Sequence, residues 1–199
     1  MNTTDVAVLL FGGRRPPRPL DGLAVHTVEG REDIDAAAGG CRRLIVVGAD
    51  ADLASVLTRL LRTERLDVEV GHATGWWSAR RAVRGAARRV PLIRDDTGHV
   101  IVGAAEWRGP DGAPLHGEAV VDDTVLFDGE VAGVRIEPTH AVPGLRACVI
   151  RPGRRAWVAG RAAQIGTSGA VVVRDAEQSP KIVRRSTFYR HTQGWLLVR

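Results

Sequence analysis

Lysine is almost absent: Lys181 stands alone beside 27 arginines in the 199 residues. With the abundance of Ala, Val and Gly, this reads as the codon bias of a high-GC genome, so the net charge of +5 is by itself a weak pointer to nucleic acid. Cysteine is scarce too. Cys41 and Cys148 are too few for a disulfide framework and are expected as buried or half-buried thiols in a reducing, cytoplasmic setting. Long apolar runs are missing: Val6–Phe11 and Leu44–Val47 fall far short of the roughly 20 residues that cross a bilayer, so no transmembrane segment is expected. The start, Met1-Asn2-Thr3-Thr4-Asp5, lacks the basic flank of a secretory leader. None of the six histidines sits at zinc-ligand spacing with another, and neither His-Glu-x-x-His nor Cys-x-x-Cys occurs. That removes the zinc-protease class and predicts no metal site of that kind. Gly166-Thr167-Ser168-Gly169 misses the Gly-x-Ser-x-Gly spacing of a nucleophile elbow and is expected as a tight turn. Walker A is absent as well, which excludes an ordinary P-loop enzyme.

What is present is an uneven distribution of charge. Residues 1–76 carry net −2, residues 77–94 +6, residues 95–150 −7 and residues 151–199 +8. Either these blocks neutralise one another within the chain, or the basic ones form a face for phosphate, RNA or an acidic partner.

Periodicity divides the chain. Val6–Phe11 reads as a buried strand ended by Gly12-Gly13, followed by an irregular loop rich in Arg and Pro. Leu23–Val28 is a second strand, Asp33–Ala38 a short helix, and Leu44–Val47 a third strand, apolar throughout as in a sheet covered on both faces. Leu53, Val56, Leu57, Leu60 and Leu61 recur at helical spacing and make one apolar stripe. Leu66–Val70 is a strand and Ser78–Arg89 a basic helix. Residues 1–88 are therefore expected as a small Rossmann-like α/β unit. Short strands separated by Asp and Gly turns, such as Val100–Ala104, Ala119–Val121, Leu145–Ile150 and Trp195–Val198, assign residues 89–199 to a mostly antiparallel β domain, a sandwich or partial barrel. The fold class is α/β with a β second half.

One loop stands where anions bind in such sheets. Gly48-Ala49-Asp50-Ala51-Asp52 follows a buried strand and opens the clearest helix, a helix N-terminus at the carboxyl edge of a sheet. Its two carboxylates repel a phosphate unless a metal lies between.

These residues resemble the diacylglycerol kinase-like catalytic domain, related to sphingosine kinases and more distantly to NAD kinases. That family has a Gly-Gly-Asp-Gly-Thr loop before a Leu-rich helix; here Gly48, Asp50 and Leu53 match. Its Gly-Thr-Gly-Asn-Asp-Phe-Ala-Arg motif lies one strand later, where Thr74, Gly75, Ala79 and Arg80 match. Its Asp-Gly-Glu corresponds to Asp128-Gly129-Glu130, a tripeptide that also suits a hairpin turn. The resemblance covers residues 44–80 and 117–150. It implies, for an active protein, ATP and Mg²⁺ as cofactors, Gly48, Asp50, Thr74, Gly75 and Arg80 at the nucleotide, and Asp128 and Glu130 as catalytic or metal-side carboxylates. The departures are specific: Ala49 and Ala51 replace glycines, Asp52 replaces Thr, and Trp76-Trp77 replaces Asn-Asp. A chain shortened in its β half is expected as well. The resemblance thus implies a degenerate kinase-like protein, non-catalytic or weakly binding a phosphorylated small molecule, with an active ATP-dependent lipid or small-alcohol kinase as the alternative.

The C-terminal stretch lies outside the resemblance. Arg184, Arg185 and Arg190 interleave with Phe188, Tyr189, His191 and Trp195. One reading is a binding surface for anionic lipid, RNA or an acidic protein; the other is aromatic core beneath solvated arginines. Trp76-Trp77 either stacks a ligand or packs at the junction of the two halves. Self-association is left open.

Overall fold

The computed structural model describes residues 5–153 and 155–199. Residues 1–4, part of the start read above for a leader, lie outside the described residues. The chain divides into two units, Met1–Val90 with Gln193–Arg199, and Pro91–Thr192.

In the first unit, β1 (Val6–Leu10), β2 (Ala24–Thr27), β3 (Arg43–Val47) and β4 (Glu69–His72) run parallel, and β5 (Ala87–Val90) lies at the sheet edge. Three helices among the described residues connect them: α1 (Arg31–Gly40), α2 (Asp50–Arg62) and α3 (Trp76–Arg84). Strand alternation explains the core. Val6, Val8, Ile45 and Val47 face Ala79 and Ala82 of α3. Ala7, Leu9, Leu44 and Val46 point the other way and are equally buried, so the sheet is covered on both faces.

Arg43 is buried on β3 at 4% exposure. Its Nε donates to Glu69 at 2.7 Å, its Nη1 to the carbonyls of Ala82 and Val83, and its Nη2 to Glu69 and to Gly85 O. All five donors of the guanidinium are thereby used. Three of them satisfy carbonyls at the C-terminal end of α3, where a cation also suits the helix dipole.

The basic helix expected over Ser78–Arg89 is shorter. It starts at Trp76 and stops at Arg84. A Cβ on Gly85 would lie 2.6 Å from Arg81 O and 2.8 Å from Arg199 O, so a close approach of backbone requires glycine there. Arg88 and Arg89 then sit exposed on edge strand β5, where charge deters further strand pairing.

The second unit is antiparallel. Its strands are β6 (Ile93–Asp95), β7 (Val100–Ile101), β8 (Ala105–Arg108), β9 (Leu115–Val121), β10 (Thr124–Val131), β11 (Val134–Pro138), β12 (Leu145–Val149), β13 (Val158–Gly160), β14 (Ala162–Arg174) and β15 (Glu177–Arg190). The order is β13-β12-β11-β8-β14-β15-β6-β7, with the β9–β10 hairpin also joined to β14. Trp107 and Phe188 fill the core with ring centroids 5.8 Å apart, and Trp107 Nε1 donates to buried Ser186 Oγ at 3.0 Å. Gly166–Gly169 is not a tight turn. It is a register shift inside β14, which pairs with β9 before it and with β8 after it; the bulge lets one strand serve two neighbours.

The last strand, β16 (Trp195–Val198), corrects the expected boundary. It leaves the β unit and inserts between β4 and β5, parallel to the first (Leu196↔Glu69) and antiparallel to the second (Trp195↔Val90). Its turn-rich sequence neighbourhood suggests the β half. Its unbroken apolarity matches a strand inside a sheet covered on both faces.

The charge blocks pair mostly within themselves. In the second unit Arg135 bridges Glu106 and Glu137, Arg146 holds Glu137, and Arg108 pairs with Glu106, all inside the acidic block. Arg174 on fully buried Asp95, Nε at 2.7 Å, joins that block to the basic tail.

Candidate functional site

Parallel pairing brings the predicted nucleotide residues to one edge. The registers Leu10↔Val47 and Val46↔His72 place the loops after β1, β3 and β4 side by side at the carboxyl ends of their strands. Gly48, Asp50, Thr74 and Gly75 all lie there.

The loop after β3 is closed by its own side chain. Asp52, in the first turn of α2, folds back so that its Oδ2 accepts the N–H of Ala49 at 2.7 Å. The carboxylate lies directly against Gly48, where a Cβ would come 2.5 Å from that same oxygen and 2.7 Å from Asp52 Cβ. Glycine is needed here to make room for Asp52. His72 Nε2–H donates to Gly48 O at 3.0 Å, and its Nδ1 lies 3.8 Å from the exposed Asp50 carboxylate.

The neighbouring loop is closed in the same manner by a neutral group. Ser78 Oγ accepts the N–H of Thr74 and of Gly75, both at 2.9 Å, and its hydroxyl donates to Gly75 O at 3.0 Å. At α1, Asp33 Oδ2 accepts the N–H of Glu29 and of Gly30 at 2.9 and 3.0 Å, which holds its carboxyl below the ordinary aspartate range. Asp33, Asp52 and Ser78 each stand three residues after the cap, the position from which a side chain reaches back to orphan donors. The spacing was visible in the sequence. The first turns of α1 and α2 carry acid, whereas that of α3 carries none.

Arg14 and Arg15, missed as candidates, are exposed in the loop after β1, preceded by Gly12 and Gly13 at φ +62° and +64°. The signal was a Gly-Gly-Arg-Arg run at the end of a buried strand. Arg80 lies apart, on the outer side of α3, with its guanidinium carbon 5.7 Å from the Trp76 ring centroid.

Asp128 and Glu130 belong to the second unit. They occupy mid-strand positions on β10, not a hairpin turn, and both are exposed. Asp128 pairs across the hairpin with Glu118, and Glu130 with His116; Glu118 is a third carboxylate that sequence reasoning missed. Between them Gly129 at φ +113° opposes Gly117 at φ +156°, where β14 approaches too closely for a side chain. No group of three His, Cys, Asp or Glu side chains among the described residues is arranged to hold a metal ion.

The three tail arginines do not form one patch. Arg184 and Arg185 are exposed and adjacent on β15, so they point to opposite faces. Arg190 is half-buried at the far end, its side chain lying along Gly144. Both thiols fit expectation: Cys41 is half-buried and Cys148 buried, each with its pKa pushed up by burial. No helix among the described residues is long and apolar enough to cross a membrane.

No family model and no curated protein matches the sequence. Solved structures do match. A diacylglycerol kinase from Bacillus anthracis str. Sterne aligns over 98% of this chain and 96% of that chain, with TM-score 0.74 and 12% identity. An NAD kinase from Archaeoglobus fulgidus in complex with ATP aligns over 98% and 93%, with TM-score 0.67 and 14% identity. This chain therefore has the fold shared by diacylglycerol kinase-like proteins and NAD kinases, an α/β unit with an antiparallel β partner.

Proposed function

We propose that this protein is a degenerate member of that kinase-like fold, without phosphotransfer activity and with weak affinity at best for a phosphorylated small molecule. The observation that carries this reading is the Asp52 carboxylate on the Ala49 N–H. A phosphate needs that donor free and the space beside Gly48 open. Here a carboxylate takes both, and Asp50 adds a second negative charge next to it. The NAD kinase neighbour was crystallised with ATP, so the fold accommodates a nucleotide; the residues after β3 in this chain do not fit one. For the tail, we read Arg184 and Arg185 as charge on an exposed strand rather than as a binding face, because they diverge.

The test is turnover. The full chain is incubated with Mg·ATP and, in separate reactions, diacylglycerol, sphingosine and glycerol, and ADP is measured. ADP at the level of the blank is expected in each. ADP formation above blank that is abolished by Asp50→Asn and by Asp128→Asn would establish the alternative, an active lipid or small-alcohol kinase with those carboxylates at the phosphates and metal.

A further inference from the structure

Helix α3 presents an unusual outer face. At about 100° per residue, Trp76, Trp77, Arg80, Arg81 and Arg84 fall within an arc of roughly 140°, Ala79 and Ala82 lie on the other side, and Val83 stands at the margin next to Trp76. The structure agrees: Ala79 and Ala82 are buried with Val83 packed beside them, while Trp76 is 44% and Trp77 70% exposed. The two indoles stand edge to face with centroids 4.5 Å apart. Among the described residues, no aspartate or glutamate forms an ion pair with Arg18, Arg80, Arg81 or Arg84. Two open grooves flank the helix. One of about 620 Å³ runs along Trp77 and Arg81, and one of about 420 Å³ along Trp76 and Arg18; Arg80 and Arg84 line both.

Exposed adjacent tryptophans are costly in water. Arginines without an aspartate or glutamate partner attract anions. A surface that satisfies both needs at once has an apolar layer for indoles directly beneath a layer of negative charge. That is the boundary of an anionic bilayer, where Trp sits at headgroup depth and Arg meets phosphate. We propose that the outer face of α3, with Arg18 beside it, docks this protein on anionic lipid membranes. The docking surface is independent of whether the loop after β3 binds nucleotide.

Co-sedimentation of the full chain with vesicles tests it, using phosphatidylcholine alone and an equimolar mixture with phosphatidylglycerol. Capture by the anionic vesicles only, released by added salt, is expected, with a blue shift of indole emission. The double variant Arg80→Gln/Arg84→Gln weakens binding about thirtyfold. Trp77→Ala weakens it about tenfold and, being at an exposed position, leaves the melting temperature unchanged. Equal capture by both vesicles, capture by neither, or binding unaffected by both variants overturns the proposal. So does preference for single-stranded RNA over the anionic vesicles, which would make the face a nucleic-acid surface.

Discussion

Helices α2 and α3 begin at the same edge of the same sheet, one strand apart, and each closes its own N-terminus with its third residue. What differs is charge. The α2 end holds Asp50 and Asp52, whereas the α3 end holds a serine preceded by two tryptophans, with arginines one turn further on. A fold whose helix N-termini suit anions has here used the first to satisfy itself with carboxylate. The second keeps positive surroundings but turns its aromatic and basic residues outward. A fold supplies an anion-binding position, and the residue three places into the helix decides whether it stays available.

The largest effect is expected at the other end of the same two helices. The last turn of α3 rests on buried Arg43, whereas that of α2 closes through Thr63, whose Oγ1–H donates to Arg59 O at 3.0 Å. Arg43→Met leaves Glu69 to Arg42 alone and strands three carbonyls, and urea denaturation should register a loss of about 3 kcal/mol in the first unit. Thr63→Ala should cost about 1 kcal/mol or less. Similar losses at both positions would erase the difference.

The second unit supplies a comparison in pH. Burial alone would raise the carboxyl of Asp95, but hydrogen bonds from Thr97 and His99 and the Arg174 guanidinium outweigh it and hold the group below its ordinary value of 3.8. Its stabilising contribution is therefore complete above that ordinary value and disappears as pH falls through the lowered folded value. Acid titration of stability should show a decline below about pH 4 that is shallower in Asp95→Asn. An unchanged slope would remove Asp95 from the account.

Smaller effects separate the two caps themselves. Asp52→Ala and Ser78→Ala should each lower stability by about 1 kcal/mol, read as a shift in melting temperature. Only the first also removes negative charge from the sheet edge. Smallest of all, Arg184→Gln with Arg185→Gln should alter stability by less than about 0.5 kcal/mol; a larger change would mean that the tail arginines are structural.

Much of this architecture was legible because periodicity is local. The stripe of Leu53, Val56, Leu57 and Leu60 revealed α2, and the apolar run from Leu44 to Val47 revealed a strand buried on both faces. Features made by distant pairing were not legible. β16 joins the first sheet through β4 and β5, and β14 shifts register at Gly166–Gly169 because it serves two partners. The motif order places Gly48 and Asp50 on one loop and Thr74 and Gly75 on another, and the parallel register sets these two loops side by side. The turn of the Asp52 side chain back onto its own helix end is legible too, from Asp50 and Asp52 as candidate caps and from the same three-residue spacing at Gly30–Asp33, Ala49–Asp52 and Gly75–Ser78. The outward turn of Trp76 and Trp77 was missed because tryptophan ordinarily packs inside; the arginines at the next helical positions were the countersignal.

Whether Asp52 closes the loop after β3 to nucleotide is read by calorimetric titration with Mg·ATP, comparing the natural chain with Ala49→Gly/Ala51→Gly/Asp52→Thr, which reopens that loop. No saturable heat is expected for the natural chain, and a saturable isotherm for the variant. Saturable binding by the natural chain, unimproved in the variant, would contradict it.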